Sequence, residues 1–234
     1  LMSAARAGNI ALVQQLLDRG AEPSLTGNDG LAAYHYVLSA AVSTPRYAQQ
    51  KSAQLYTLLK PESLSLQVDG RLIKLDNRQM AMFLVLLMQA LFHTHLGGAL
   101  VFSEAFSAAR LAECVAHLPE ALLPGRRKRR SYISSQLSQH EVNSKHPYGK
   151  KLFLRLNHGQ YILNPGLKIR QGERWCAVYA LQSPEDLGHD LQTYLQDMSP
   201  ELVKILGGKK DVYKYSEEAV GYWAEMIRRA AQKT

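Results

Sequence analysis

Along the first twenty residues Leu12, Val13, Leu16 and Leu17 recur at helical spacing, and Gly8 and Gly20 punctuate the ends, which predicts two short helices. From Leu64 the pattern changes to a strict alternation, Leu64-Ser65-Leu66-Gln67-Val68, followed by Asp69-Gly70 and a second alternating run from Arg71 to Leu75. An Asp-Gly pair between two such runs predicts a β-hairpin. Asp76, with Gln79 three residues on, has the form of a capping box. The helix it opens carries Met80, Phe83, Leu84, Leu87 and Leu91 and is apolar enough to be buried, with Gly97-Gly98 closing the region. Residues 100–118 read as a further helix through Phe102, Phe106, Leu111, Val115 and Leu118. Pro119 to Gly125 reads as a loop, and Ser131 to Val142 as a third helix. A second hairpin is expected from Lys151 to Leu156 and Tyr161 to Leu163, turning at Asn157-His158-Gly159-Gln160. The remainder reads as helical. One helix opens at Pro184-Glu185-Asp186 and runs through Leu187, Leu191 and Leu195. A second opens at Ser199-Pro200-Glu201, and a last one carries Val220, Trp223, Met226 and Ile227. The expected class is mainly α with small β-hairpins, an α+β chain.

Composition narrows this further. Of the 234 residues 46% are hydrophobic, and Gly 16 and Pro 9 are ordinary, so the chain is neither disordered nor fibrous in composition. The longest apolar run, Met80 to Phe92, is broken by Gln89 and falls short of the ~20 residues a bilayer span needs, so no membrane association is expected. Cys114 and Cys176 form no disulfide framework, and a reducing cytoplasm is the expected location. The chain opens at Leu1, within an expected helix, so residues are expected upstream and the lack of a leader carries no meaning.

The charge is unevenly distributed. Residues 1–125 hold 9 basic and 9 acidic side chains, residues 126–174 hold 12 and 2, and residues 175–234 hold 7 and 9. The whole net charge of +8 therefore originates in one central stretch. A field concentrated in this way recruits a polyanion, the other reading being a solvated basic face.

Two family resemblances follow from particular residues. Ala4, Ala5, Gly8, Leu12, Val13, Leu16, Leu17, Gly20 and Ala21 match the ankyrin pattern A-A-x-x-G-h-x-x-V-V-x-x-L-L-x-x-G-A without a gap. A second, divergent unit starts at Asn28-Asp29-Gly30, where the usual T-P-L-H becomes Leu31-Ala32-Ala33-Tyr34. Its second helix, through Tyr56, Leu58 and Leu59, comes late. Fewer than three repeats rarely stand alone, so either more repeats precede Leu1 or this pair packs on the rest of the chain. Further on, the order hairpin, three helices, hairpin resembles a winged helix-turn-helix of the OmpR/PhoB response-regulator type. The family's L-T-x-x-E-x-x-L-L falls on Leu75, Asp76, Gln79, Met82 and Phe83, with Asp for Thr and Gln for Glu. Its T-V-R-G-x-G-Y-x-L wing falls on Arg155, Leu156, Asn157, His158, Gln160, Tyr161 and Leu163. Both family glycines are replaced there, one Gly159 lies between them, and the third helix lacks the usual I-x-x-L-R-x-K spacing. The implied organisation is ankyrin repeats over residues 1–61, a winged-helix DNA-binding domain over 62–170, and a helical segment over 171–234. Trp175 and the apolar turns of that last segment imply packing on the wing domain or a dimer seam.

On a helical wheel Ile133 and Leu137 mark the buried side of the third helix, which leaves Ser131, Tyr132, Ser135, Ser138 and Gln139 on the opposite side, small or amide groups that fit a major groove. Gln139 is the candidate for a directed base contact. Arg126, Arg127, Lys128, Arg129 and Arg130 precede that helix where a phosphate backbone would pass. Lys150, Lys151 and Arg155 flank the second hairpin, with His158 at its tip. A nuclear localisation signal or a solvated loop stays open as another reading of the run of five.

Catalytic patterns are wanting. The sequence has no G-x-S-x-G, Walker A, G-x-G-x-x-G or H-E-x-x-H. His93-x-His95 lacks companion ligands, Glu104, Glu113 and Glu120 have the spacing of solvated helix positions, and the basic stretch holds only Glu141 and Glu173. No catalysis, metal or other cofactor is expected. The implied protein is a cytoplasmic, bacterial, sequence-specific regulator that binds double-stranded DNA, contacts a protein through its ankyrin repeats and assembles through its tail. The alternative is a non-catalytic interaction adaptor, or the nucleic-acid-targeting subunit of a larger assembly.

Overall fold

In the computed structural model residues 1–27, 30–96, 105–164 and 166–178 are described. Helix α1 (Met2–Ala7) ends at Gly8, whose φ of +73° closes the helix by returning its N–H to the carbonyls of Ala4 and Ala5. A Cβ there would lie 3.0 Å from the Tyr47 ring, so both the turn and the packing require glycine. Asn9 caps α2 (Ile10–Asp18) by accepting the Leu12 N–H at 3.0 Å. Within α2 only Val13 is fully buried, and Leu12 is 40% exposed, although helical spacing placed both on the inner face.

The next unit begins at the Thr26–Ala32 bridge and continues into α3 (Ala33–Ser43). Pro45 then opens α4 (Pro45–Tyr47), a π-helical turn spans Ala48–Ser52, and α5 runs from Ala53 to Leu59. His35, in the first turn of α3, accepts the Ala32 N–H on Nδ1 at 3.0 Å. With Nδ1 acting as acceptor, Nε2 bears the proton and donates to Gln89 Oε1 at 3.3 Å, both residues being 2% exposed.

Strands β1 (Ser63–Val68) and β2 (Arg71–Asp76) form the expected hairpin. Asp69 (φ 48°) and Gly70 (φ 74°) are both left-handed, the turn geometry that matches strand twist and that Asp-Gly tolerates. Leu64, Leu66 and Val68 point into the core while Ser65 and Gln67 do not. Helix α6 (Met80–Leu96) is buried on every side from Met80 to Leu91, as an all-round apolar helix must be.

The 100–118 stretch differs from the helix expected there. Phe106–Ser107 is a two-residue strand, β3, and helix α7 covers only Ala108–Val115, because Ser107 caps it by accepting the Arg110 N–H at 3.0 Å. Phe102 and the Gly97-Gly98 pair lie outside the described residues. A one-turn helix α8 (Gly125–Lys128) precedes α9 (Arg130–Gln139), and β4 (Phe153–Asn157) and β5 (Gln160–Leu163) form the second expected hairpin. A third hairpin, β6 (Lys168–Gln171) and β7 (Arg174–Ala177), straddles residue 170, where the helical segment was expected to begin. The helices expected from Pro184 onward lie outside the described residues.

All strand pairings within the two sheets are antiparallel, in the orders β2-β1-β6-β7 and β3-β5-β4. Helices and two small sheets make a mixed α+β protein. One hydrophobic cluster runs from Ala4 through Leu38, Leu87, Leu111 and Leu137 to Val178. Polar contacts join the same regions. The His117 ring donates from Nε2 to the Ala41 carbonyl at 2.7 Å, and Gln49 donates to the His117 carbonyl. The first two helix pairs thus share a core with the described residues that follow. Among the described residues no helix is long and apolar enough to cross a membrane.

Candidate nucleic-acid interface

Helix α9 is anchored by Ile133 and Leu137, both 0% exposed. One turn apart on its open side stand Ser131 and Ser135, both exposed. Ser138 and Gln139 are half-buried, and Tyr132 leans partly against the core rather than standing free. Gln139 Oε1 accepts from Gln136 Nε2 at 3.4 Å, so its oxygen is engaged by its neighbour on the same helix.

The structure divides the five-residue basic run. Arg126, Arg129 and Arg130 are exposed, and Arg127 is half-buried. Lys128 turns inward, donating to the Leu118 carbonyl and lying 3.5 Å from Glu120 with its side chain 15% exposed. Glu120 also accepts the Gly125 N–H at 2.9 Å, and that hydrogen bond, reinforced by Lys128, holds its carboxyl below the usual range. Glu120 and Lys128 therefore fix α8 and with it the start of α9. Arg129, in extended conformation, precedes the helix and Arg130 is its first residue, with no acidic side chain in the first turn. Two exposed guanidinium groups, Arg129 and Arg130, thus stand at the positive end of α9, with exposed Arg126 in the one-turn helix before it.

The cations of the second hairpin are already engaged. Arg155 pairs with Glu141 at 2.7 Å, lies 5.2 Å over the Tyr161 ring, and approaches the Ser138 hydroxyl at 3.5 Å. The hydroxyls of Ser138 and Tyr161 are 3.1 Å apart. Lys151 pairs with Asp69 at 2.9 Å, and Lys150 donates to Gln79 Oε1, with burial pushing its ammonium below the ordinary lysine value. His158 stays exposed at the tip beside Gly159, whose φ of +72° makes the tight turn. The fourteen expected contact residues therefore fall into three sets. Arg126, Arg129, Arg130, Ser131, Ser135 and His158 are exposed, Lys128, Ser138, Lys150, Lys151 and Arg155 are held by protein partners, and Arg127, Tyr132 and Gln139 are half-buried.

The loop between α9 and β4 adds residues that the charge pattern alone does not single out. Lys145, His146 and Tyr148 are exposed there, Tyr148 by 76%, and the Tyr148 N–H donates to His146 Nδ1 at 3.2 Å. The Pro147-Tyr148-Gly149 sequence is the signal that marks them as a projecting turn. His140, the residue after α9, is 5% exposed, and its Nδ1 has no hydrogen-bond partner among the described residues. Burial first, then Lys150 and His146, push its pKa down to about 4. No group of three or more His, Cys, Asp or Glu side chains suited to a metal ion occurs among the described residues.

No protein-family model matches the chain, and no curated protein or solved structure matches it.

Proposed function

We propose that the chain is a sequence-specific double-stranded DNA-binding regulator in which α9 enters the major groove and the β4–β5 hairpin lies beside it. The order α6, β3, α7, α8, α9, β4, β5, in which α8 is a single turn and the last strand is central in the sheet β3-β5-β4, supports the winged-helix reading. The observation that carries the proposal is the open side of α9. Two small hydroxyl side chains one turn apart are exposed there, and the exposed guanidinium groups of Arg129 and Arg130 stand at the helix start. Short polar groups reach base edges while cations at the helix N-terminus meet phosphates.

The first two helix pairs act, in this reading, as a short ankyrin-type unit that presents a surface to a protein partner. In that unit the His35 ring accepts the Ala32 N–H and so fixes the start of α3. Assembly as a dimer and a cytoplasmic location belong to the same proposal.

Fluorescence anisotropy with a selected duplex and a scrambled one, at several salt concentrations, tests it. Binding to both should weaken as salt rises, with the selected duplex bound more tightly throughout. Affinity that is absent, or indifferent to salt, would replace this reading with the adaptor.

A further inference from the structure

A different surface carries an inference that does not depend on DNA binding. The sheet β2-β1-β6-β7 turns Leu64, Leu66, Val68 and Ile169 inward, so alternate residues lie on its other side. The pairings Gln67–Leu72, Ser65–Lys74, Gln67–Lys168 and Arg170–Trp175 place Leu72, Lys74, Lys168, Arg170 and Trp175 together on that outer face. Leu72 is 73% exposed and Trp175 37%, the two ends of a surface whose middle is cationic. Among the described residues neither Lys74, Lys168 nor Arg170 takes part in an ion pair, and Asp76 is the only carboxylate on the four strands. A large aliphatic and a tryptophan flanking cations that have no carboxylate partner among the described residues, although Arg170 Nε donates to the Gly172 carbonyl at 3.0 Å, is a composition that suits an acidic polypeptide segment with apolar anchors.

The chain itself supplies a sequence of that chemistry. Between residues 179 and 203 there are five acidic side chains, Glu185, Asp186, Asp190, Asp197 and Glu201, and no lysine or arginine. Leu187, Leu191 and Leu195 recur every fourth position within it. This stretch begins directly after Val178, whose N–H donates to the Leu167 carbonyl and so holds the end of the described chain at the sheet. We propose that the outer face of the β2-β1-β6-β7 sheet is a docking surface for the acidic stretch 185–201 of the same chain. Carboxylates meet Lys74, Lys168 and Arg170, and leucines cover Leu72 and Trp175. Because the occupant is covalently attached, a weak contact suffices: a tethered segment acts at a high effective concentration.

A zero-length carbodiimide coupling on the intact chain tests this, since it joins only lysines and carboxylates already in contact. Mass spectrometry should find Lys74 and Lys168 linked to acids between 185 and 201. Mixing isotopically heavy and light protein should give no mixed pairs. Lys168→Glu with Arg170→Glu should abolish these links without changing the heat-unfolding midpoint, and adding Glu185→Lys with Asp186→Lys should restore coupling in reversed polarity. Trp175→Ala should lower the yield. Should the charge-reversed protein fail to fold, the link map of the unaltered chain decides alone. Links between copies, links only to acids outside 185–201, or the absence of links would each overturn the proposal. So would protection of Lys74 and Lys168 by duplex DNA in place of such links.

Discussion

The Arg155 guanidinium lies 2.7 Å from the Glu141 carboxylate, so strand β4 is tied to the turn that follows α9. With the Tyr161 ring on one side and the Ser138 hydroxyl on another, Arg155 fixes the angle between helix and hairpin. In the proposed complex Arg155 is a positioning residue rather than a phosphate contact.

Arg155→Met and Glu141→Gln should therefore both weaken binding to the selected duplex while leaving the slope of log K against log salt unchanged. A lost phosphate contact would flatten that slope by ~0.9. Because Arg155 is 38% exposed, each variant should cost only about 1 kcal/mol of stability by urea titration.

The basic run should separate in the same way. Neutralising Arg126, Arg129 and Arg130 together should weaken binding to every duplex and flatten the salt slope. Lys128→Gln should leave the slope intact and lower stability by about 1–2 kcal/mol, since it removes a charged hydrogen bond to the Leu118 carbonyl. Gln139→Ala should cost ~1–3 kcal/mol on the selected duplex and little on the scrambled one.

The continuous core makes a prediction about unfolding. Val13→Ala should cost about 2 kcal/mol, whereas Leu12→Ala, at a position 40% exposed, should cost well under half of that. Far-ultraviolet dichroism and protease susceptibility should move together in one urea transition, with no early loss of the first 61 residues.

His140 gives a pH dependence whose sign follows from its depressed pKa. The native state keeps the ring neutral down to about pH 4, whereas the unfolded chain takes up a proton near its ordinary value of 6.5. The stabilisation is thus fully present above pH 6.5 and is lost as pH falls from there to about 4, by about 2–3 kcal/mol in total. Urea midpoints at pH 7, 5.5 and 4 should show the decline. His140→Gln should remove this component of it.

Local signals in the sequence were sufficient for several elements. The Asp69-Gly70 hairpin, the all-round apolar α6 and the turn at Gly159 each follow from a few adjacent residues, because backbone sterics and periodicity act over that range. Elements made by distant pairing were not legible. Strand β3 exists because Phe106 and Ser107 pair with Tyr161 and Gln160, and β6 is in place because Ile169 and Lys168 meet Leu66 and Gln67 across about a hundred residues. Helix spacing placed Leu12 with Val13 on the inner face, but only the packing of α1 and α2 on their neighbours decides which is covered. The candidate interface divides similarly. Charge pointed to residues 126–174, but not to which cations remain free, since Lys128, Lys151 and Arg155 depend on Glu120, Asp69 and Glu141 for their positions.

The shared core also bears on how a signal could travel. The His35–Gln89 contact welds the first turn of α3 to the middle of α6, and α6 lies under α9 in the same packed interior. Among the described residues, a molecule that settles on the first two helices therefore meets one continuous packed block. In the proposed complex its effect on a distant surface would come through crowding at the duplex or through the melting temperature of that block, and mutations tuning such a response should map to the block's outside rather than to a seam.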